Sequence, residues 1–260
     1  MLFAEVQNRI YASPDIGVTW SSIDYNDSDP QKPVPAMKLS DPKVICAALG
    51  KQILYSVDKG TNWIAFRPAI QQGPLFGLWL DPSDSQSLYA QTFSRLHHST
   101  DGGKTWQQLP LSGVDHAPIT SLFFDAYTPG SIYMFTGPIY VESSAGDVYR
   151  SPDGGQNWIR MVIDPSGNVP VDFFTLIPDA AGTLFVGGAN YLAPDTNLLF
   201  RSDDHGTSWT KTGLGLPTSG QVAELVSTPS NPSIVYAAVY GRGTFKSTDG
   251  GKTWLPAGSR

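Results

Sequence analysis

Apolar residues occur along this chain in short runs that Gly, Pro, Asn and Asp interrupt. The last part of the chain is an example: VAELVST (222–228), SIVYAAVY (233–240) and GTFKST (243–248) are rich in β-branched and aromatic residues, and TWLPAGS (253–259) follows. Such runs, separated by turn residues, predict β-strands. Because no segment of useful length has helical periodicity, the pattern predicts an all-β protein whose units contain four strands, A, B, C and D.

An eight-residue motif, Ser-x-Asp-x-Gly-x-(Thr/Asn/Ser)-Trp, recurs between strands C and D of each unit. Its copies occupy residues 13–20, 56–63, 99–106, 151–158, 202–209 and 247–254. The aspartates of the motif are Asp15, Asp58, Asp101, Asp153, Asp204 and Asp249. Successive aspartates are 43, 43, 52, 51 and 45 residues apart, and each step has the length of one four-stranded propeller blade.

The residues of the motif suit a tight turn. The Asp side chain accepts hydrogen bonds from backbone N–H groups one or two residues ahead, and the Gly adopts positive φ without steric cost. The Trp that ends the motif is expected to pack against a neighbouring element, which buries roughly 150–250 Å² of its surface. Equivalent positions in successive repeats do not line one site, so we interpret these Asp and Trp residues as structural.

The motif resembles the Asp-box, or BNR, repeat of sialidases, xyloglucan-cleaving glycoside hydrolases, sortilin-type receptor domains and photosystem II assembly factors. The resemblance extends from Leu2 to Ser259, and YGRGTFKSTDGGKTW (240–254) is most similar to the xyloglucanase-type and assembly-factor repeats. It implies a β-propeller fold. Because the box is scaffold in all of these families, the resemblance implies little about function.

The two ends of the chain predict an incomplete first blade. Counting back from the first box, RIYAS (9–13) is strand C and LFAEV (2–6) is strand B, so no strand A precedes them. We therefore expect a single Asp-box β-propeller domain over residues 1–260, with six blades, the first lacking its innermost strand. Either blades one and six close the ring by direct contact, or the chain is a fragment of a larger propeller whose upstream sequence supplies strand A.

Charge and hydropathy exclude several classes of partner. The net charge of −6 argues against nucleic acid, since phosphate binding needs clustered Lys and Arg. No apolar run approaches the ~20 residues of a spanning helix, so we expect a soluble protein without membrane insertion. The start of the chain lacks a signal peptide, and an extracellular or periplasmic location would require an upstream signal. The single cysteine, Cys46, excludes an internal disulfide and is expected to be buried. Compartment and oligomeric state stay open.

The expected binding surface lies opposite the Asp-boxes. In an antiparallel four-stranded blade, the A–B and C–D turns share one end, and the B–C and D–A connections share the other. The fourth and fifth blades have enlarged connections at that second end, which account for the steps of 52 and 51 residues. The candidate ligand-binding residues on this loop face are Tyr140, Glu142, Asp147, Asn190, Tyr191, Asp195 and Asn197, with Asp115, His116 and Arg242 on other connections.

These residue types suit a glycan or a protein ligand. Tyr rings stack on sugar rings, and Asn and Asp side chains hydrogen-bond hydroxyl groups. The alternative interpretation is that they are ordinary solvated loop residues. The sequence favours a non-catalytic binding or assembly propeller, without a cofactor.

Glycoside hydrolysis, sialidase-like or xyloglucanase-like, is the alternative function. A sialidase-like site needs three converging arginines, but Arg95, Arg150 and Arg201 lie in strands C, and Arg67 follows the second box. A two-carboxylate mechanism needs acids about 5–5.5 Å or 6.5–9.5 Å apart. The loop-face candidates are Asp27, Asp29, Asp115, Glu142, Asp147, Asp164 and Asp195. In xyloglucanase-like enzymes the cleft lies between two propellers, so the resemblance implies at most half of such a site here.

Metal and nucleophile motifs are missing from the sequence. His97 and His98 are consecutive in a predicted strand, so their side chains point to opposite faces, and no third ligand accompanies them. There is no calcium-loop motif and no G-x-S-x-G nucleophile motif. We therefore expect no metal site.

Overall fold

In the residues it describes, the computed structural model contains β-strands and no helix. The described residues are 2–6, 9–13, 15, 17–22, 33–34, 45–49, 52–56, 58, 62–66, 68, 70, 75–92, 95–114, 119–125, 127–137, 146–163, 173–176, 182–189, 197–220, 222–228 and 231–258. They group into two compact units, Met1–Leu111 and Ser112–Arg260. Within the described ranges no helix is long and apolar enough to cross a membrane.

The first unit contains three antiparallel sheets, in each of which the strands are neighbours in chain order. The first sheet has three strands in the described residues, β1 (Leu2–Val6), β2 (Arg9–Ser13) and β3 (Ser21–Ser22). The second sheet consists of β4 (Pro33–Val34), β5 (Ile45–Leu49), β6 (Gln52–Ser56) and β7 (Ile64–Phe66). The third consists of β8 (Gly77–Leu80), β9 (Leu88–Thr92), β10 (Arg95–Ser99) and β11 (Gln107–Gln108).

The second unit contains three four-stranded antiparallel sheets with the same strand order. The fourth sheet of the chain consists of β12 (Ile119–Phe124), β13 (Ile132–Thr136), β14 (Asp147–Ser151) and β15 (Ile159–Arg160). The fifth consists of β16 (Phe173–Leu176), β17 (Leu184–Ala189), β18 (Asn197–Ser202) and β19 (Thr210–Lys211). The sixth consists of β20 (Val222–Thr228), β21 (Asn231–Val239), β22 (Gly243–Ser247) and β23 (Leu255–Pro256). The prediction of all-β units with four strands each is confirmed for these sheets.

The apolar core lies between successive sheets of each unit. In the first unit, Cys46 and Ile53 of the second sheet pack in one cluster with Leu78 and Leu88 of the third. In the second unit, Phe185 of the fifth sheet packs with residues of the sixth, among them Val235, Phe245 and Trp254. β9 and β13 are buried at every position, so both faces of these strands are covered, which agrees with the short continuous apolar runs of the sequence.

An aromatic residue of the second strand faces a basic residue of the third strand in four sheets. Tyr89 stacks on His98 with ring centroids 4.2 Å apart. The other pairs place a cation 5.7–5.9 Å from a ring centroid: Arg150 over Tyr133, Arg201 over Phe185 and Lys246 over Tyr236. These side chains are directly opposite each other in the strand register. Cross-strand pairs of this kind stabilise a sheet, so these basic residues contribute to the scaffold.

The burial of the Asp-box tryptophans is less uniform than the repeat predicts. Trp254 and Trp158 are buried, at 2% and 9% exposure, but Trp20 is 43% exposed. The indole N–H of Trp20 still donates to the carbonyl of Gly17 at 3.1 Å, as that of Trp254 does to Gly251. The local turn therefore orients the indole, and the neighbouring sheet determines how far it is buried.

Candidate binding surface

Each Asp-box in the described residues forms the same local hydrogen bonds. In the last copy, Asp249 Oδ1 accepts the N–H of Thr253 at 2.9 Å, and Oδ2 accepts its hydroxyl at 2.6 Å. The Ser247 hydroxyl donates to Asp249 at 2.7 Å and accepts the N–H of Gly251 at 2.8 Å. The expectation that the Asp would hold N–H groups one or two residues ahead was wrong. The Ser hydroxyl accepts the nearer N–H groups. The Asp carboxylate accepts hydrogen bonds from the backbone and side chain of the residue four positions after it.

The glycines of the boxes adopt the predicted left-handed conformation. The φ angle lies between 81° and 93° at Gly17, Gly103, Gly155, Gly206 and Gly251. At Gly251 an added Cβ would also lie 2.3 Å from Phe185 Cζ. Both the backbone conformation and the lack of space therefore require glycine there.

The box hydrogen bonds keep the carboxylates ionised. The hydroxyl and N–H of Thr19 lower the pKa of Asp15 to about 2, and those of Thr105 do the same for Asp101. The hydroxyl and N–H of Thr253 also lower the pKa of Asp249. Because a general acid must carry a proton near the working pH, these carboxylates suit a structural role and not an acid catalyst.

The Asp-box of a sheet lies beside the turn between its first and second strands. The N–H of a box glycine donates at 2.8–2.9 Å to a carbonyl in that turn or at the start of the second strand in three sheets: Gly102 to Gln86, Gly154 to Gly130 and Gly250 to Ser233. One end of each of these sheets is thus occupied by structural turns. In the sixth sheet, the turn from β21 to β22 lies at the other end.

At that other end of the sixth sheet, an aromatic side chain projects from the protein. Tyr240, which follows β21, is 81% exposed. Two residues on, Arg242 is also exposed, and its Nη2 donates to the Ser219 hydroxyl at 2.6 Å. Ser219 belongs to the connection between β19 and β20, so the two connections touch. The neighbouring Gly220 has φ +105°, and an added Cβ would lie 3.1 Å from Arg242 Cγ.

The described structure contains two of the predicted ligand-binding side chains, Asp147 and Arg242. Asp147 begins β14, where its Oδ1 accepts Nε and Nη2 of Arg160 at 2.9 and 2.6 Å. Its carboxylate is thus paired with a cation of the adjacent strand. Asn197 begins β18, but its side chain is outside the description. The remaining predicted residues lie outside the described ranges: Asp115, His116, Tyr140, Glu142, Asn190, Tyr191 and Asp195.

The sequence analysis did not select Tyr240. The sequence feature that could have identified it is an aromatic residue directly before a Gly-Arg-Gly turn, at the end of the sheet where its connections meet. Gly241 and Gly243 have φ of 67° and 93° with nothing within 4 Å of an added Cβ. The turn is therefore open to solvent around the Tyr240 ring.

The arginines considered for a carboxylate clamp have structural partners. Arg150 Nε donates to the Ser131 hydroxyl at 3.3 Å, and Arg201 Nε donates to the Gly250 carbonyl at 3.0 Å. Arg95 lies in β10 and donates to Gln108 of β11. Each of these arginines cross-links strands or turns. Arg67 lies outside the described ranges.

The thiol and the paired histidines are poor candidates for chemistry. Cys46 is 1% exposed, and burial raises the pKa of its thiol to about 12, so it is the buried apolar residue that the sequence predicted. His97 is buried and His98 half-buried, as expected for neighbours on a strand, and burial lowers the pKa of both imidazoles. In the part of the chain that the structure describes, no three His, Cys, Asp or Glu residues cluster as a metal site would require.

Comparison with known proteins identifies the repeat and the fold. The family model for the BNR/Asp-box repeat matches residues 97–108. A GH74 enzyme from Niastella koreensis superimposes with a TM-score of 0.63 at 20% identity, covering 85% of this chain and 37% of that one. YCF48 from Cyanidioschyzon merolae superimposes with a TM-score of 0.65 at 15% identity, covering 96% and 78%. The chain carries Asp-box repeats, and its fold class is the all-β propeller.

The curated relatives are much longer than the matched region. A xyloglucanase from a Paenibacillus species is 30% identical over 216 residues, which is 78% of this chain and 18% of the relative. The photosystem II assembly lipoprotein Ycf48 of a Synechococcus species is 35% identical over 78 residues, which is 28% of this chain and 20% of the relative. The chain spans about a fifth of the length of these relatives.

Proposed function

We propose that this chain is a non-catalytic propeller that binds a polysaccharide at the ends of its sheets opposite the Asp-boxes. The observation that carries the proposal is the exposed Tyr240 beside Arg242, on a turn held by Ser219. An exposed aromatic ring next to fixed hydrogen-bond donors is a suitable platform for a sugar ring and its hydroxyl groups. Because the turn is already tied to a second connection, less conformational freedom is lost on binding.

The sequence comparison supports a proposal for the ligand class. A xyloglucanase from a Paenibacillus species is 30% identical to this chain over 78% of its length. We therefore expect a β-glucan such as xyloglucan to bind, and we expect the loop-face residues Tyr140, Glu142, Asn190, Tyr191, Asp195, Asp115 and His116 to contribute to the same surface.

The hydrogen bonds that Asp147 accepts from Arg160 support a binding function over glycoside hydrolysis. Glycoside hydrolysis needs two carboxyl groups with separate acid and base or nucleophile roles. Asp147 is the predicted acid that the described residues include, and one of its oxygens already accepts two N–H groups of Arg160. A carboxylate oxygen that already accepts two N–H groups from a neighbouring strand is engaged in a contact within its own sheet.

Glycoside hydrolysis is the second candidate function, favoured by the same 30% identity to a xyloglucanase. Isothermal titration with xyloglucan and with cellohexaose, run beside an assay for newly formed reducing ends, separates the two functions. The binding proposal predicts saturable heat with xyloglucan and no release of reducing ends. Release of reducing ends would support hydrolysis instead, and the absence of binding to either glucan would reject the polysaccharide ligand in favour of a protein.

A further inference from the structure

Three of the Asp-boxes contain an Asp-Gly dipeptide. The pairs are Asp101-Gly102, Asp153-Gly154 and Asp249-Gly250, whereas Ile16, Lys59 and His205 follow the aspartate in the other boxes. Because glycine has no Cβ, its amide nitrogen can approach the side-chain carboxyl group of the preceding aspartate with little steric hindrance. In an unfolded chain, Asp-Gly is therefore the aspartyl dipeptide that isomerises most readily to isoaspartate.

The folded turn favours glycine at this position for a different reason. Gly102, Gly154 and Gly250 have φ angles of 72°, 70° and 71°, in the left-handed region. His205, at the same position of the fifth box, has a φ of 57°, which is uncommon for a residue with a Cβ. The backbone of the turn thus selects the residue that makes the unfolded chain chemically labile.

The isomerisation begins with closure of a five-membered ring. The glycine nitrogen attacks Cγ of the aspartate, an N–Cγ bond forms, and a carboxyl oxygen leaves as water with the proton of the nitrogen and that of the carboxyl group. Water then adds to the α-carbonyl of the resulting succinimide and breaks its bond to the nitrogen, which leaves the main chain running through Cβ and Cγ. The first step needs a protonated carboxyl group and a glycine N–H that is free to move.

The folded box opposes the movement of the nitrogen. The N–H of Gly102 donates to the Gln86 carbonyl at 2.9 Å, beside the turn between the first and second strands of the third sheet. The N–H of Gly154 and of Gly250 make the corresponding bonds at 2.8 and 2.9 Å. To attack Cγ, the glycine must break this bond, so the box must first separate from the neighbouring turn.

The folded box also holds the carboxyl group in the unreactive form. Asp101 Oδ1 accepts the N–H of Thr105 at 2.9 Å, and Oδ2 accepts its hydroxyl at 2.6 Å. The hydroxyl and N–H of Thr105 lower the pKa of Asp101 to about 2, so the carboxyl group is almost entirely ionised at neutral pH. Asn157 makes the same two contacts to Asp153, at 2.9 and 2.6 Å.

We propose that Asp101, Asp153 and Asp249 are modification sites at which isoaspartate forms after the box has separated from the adjacent turn of its sheet. Isoaspartate adds one carbon to the main chain and places its carboxylate directly on Cα, one carbon closer to the backbone. The carboxylate then no longer fits the N–H and hydroxyl of the residue four positions on. A modified box cannot rebuild its hydrogen bonds, so brief local opening becomes permanent damage to that sheet.

The first test compares the folded and the unfolded chain. The protein is incubated at neutral pH with and without guanidinium chloride, and isoaspartate is measured at each box by peptide mapping with electron-transfer fragmentation. The proposal predicts formation about tenfold or more slower in the folded protein at all three Asp-Gly boxes. In guanidinium chloride these boxes should react faster than Asp15, Asp58 and Asp204. Equal rates in the folded and unfolded chain would overturn the proposal.

The second test uses two crossed variants of the folded protein. Thr253→Val removes the hydroxyl that donates to Asp249 Oδ2 and keeps the backbone N–H and the shape of the side chain. Thr105→Val does the same for Asp101. Each variant should form isoaspartate about tenfold faster in its own box and at the wild-type rate in the other, since a hydrogen bond to a charged group is lost in one box alone.

The unchanged box in each variant is the internal control. Thermal unfolding of both variants establishes that they are folded at the incubation temperature. No acceleration in the altered box, or equal acceleration in both boxes, would contradict protection by the hydrogen bonds of each box.

Discussion

The guanidinium of Arg242 donates to the hydroxyl of Ser219 at 2.6 Å and so joins two chain connections at the end of the sixth sheet. Arg242 belongs to the turn between β21 and β22, and Ser219 to the connection that precedes β20. This bond fixes the turn that presents Tyr240 to solvent. It lies at the opposite end of the sheet from the Asp-box of residues 247–254, where turn hydrogen bonds have a structural role.

The carboxylate of Asp249 should be important for stability. Asp249→Asn keeps the size of the side chain but removes the charge that holds the Thr253 hydroxyl and N–H. Hydrogen bonds to a charged group are stronger than neutral ones, so the variant should unfold at least about 2–4 °C below the wild type in differential scanning calorimetry. Asp84→Asn, a turn carboxylate that accepts the Gln86 N–H, is the matched control and should shift the Tm less. An unchanged Tm in Asp249→Asn would contradict the structural role of the box.

Acid should destabilise the folded protein because it protonates the carboxylates of the Asp-boxes. The pKa of Asp15 and of Asp101 is lowered to about 2, and hydrogen bonds also lower the pKa of Asp153 and Asp249. A carboxylate with a depressed pKa contributes stability that is present above its ordinary pKa and is lost as pH falls through the folded value. The Tm should therefore decline steeply from about pH 4 to pH 2. Asp101→Asn should show a shallower decline, and parallel curves for the two proteins would refute this.

The loss of stability when a box glycine is replaced should depend on the space around it as well as on its backbone conformation. Gly251 and Gly258 both have positive φ, but an added Cβ meets Phe185 at 2.3 Å in the first case and nothing within 4 Å in the second. Gly251→Ala should therefore lower the urea midpoint of unfolding clearly more than Gly258→Ala, whose cost is the backbone strain alone, about 1 kcal/mol. Equal midpoints for the two variants would show that Phe185 moves aside without cost.

The thiol of Cys46 should be inert in the native protein. The side chain is 1% exposed, and its pKa of about 12 leaves almost no thiolate at neutral pH. Reaction with a thiol reagent such as DTNB should proceed only at the rate at which the first unit opens, and should become complete in denaturant. Rapid stoichiometric reaction without denaturant would contradict the packing of Cys46 against the third sheet.

Local chemistry explains which parts of the structure were predictable from the sequence. In the described boxes, the Ser-x-Asp-x-Gly motif predicted the position of the C–D turn because its hydrogen bonds, such as Ser247 to Asp249, join residues at most four positions apart. Strand ends were predicted less well. β21 begins at Asn231 and not at the predicted Ser233, because Asn231 pairs with Thr228, the last residue of β20.

Contacts between side chains on different strands, sheets and connections were not predictable in this way. His205 Nδ1 lies 3.1 Å from Asp125 Oδ2, although the two residues are 80 positions apart and no local pattern connects them. The pairing of Asp147 with Arg160 was not predicted either; it forms because β14 and β15 are antiparallel neighbours whose register brings the two side chains together, and ligand binding by Asp147 stays a prediction. The exposure of Tyr240 depends on the Ser219–Arg242 contact between two connections, which the sequence of either segment alone does not specify.

The affinity of Tyr240→Ala for xyloglucan tests the proposed function most directly. The matched control is Tyr127→Ala, whose ring is 57% exposed on the first turn of the fourth sheet, at the Asp-box end. If the exposed ring of Tyr240 is the anchor of the binding surface, Tyr240→Ala should bind xyloglucan about tenfold or more weakly in calorimetric titration, whereas Tyr127→Ala should bind as the wild type does. Equal affinity of both variants and the wild type would contradict binding at this surface.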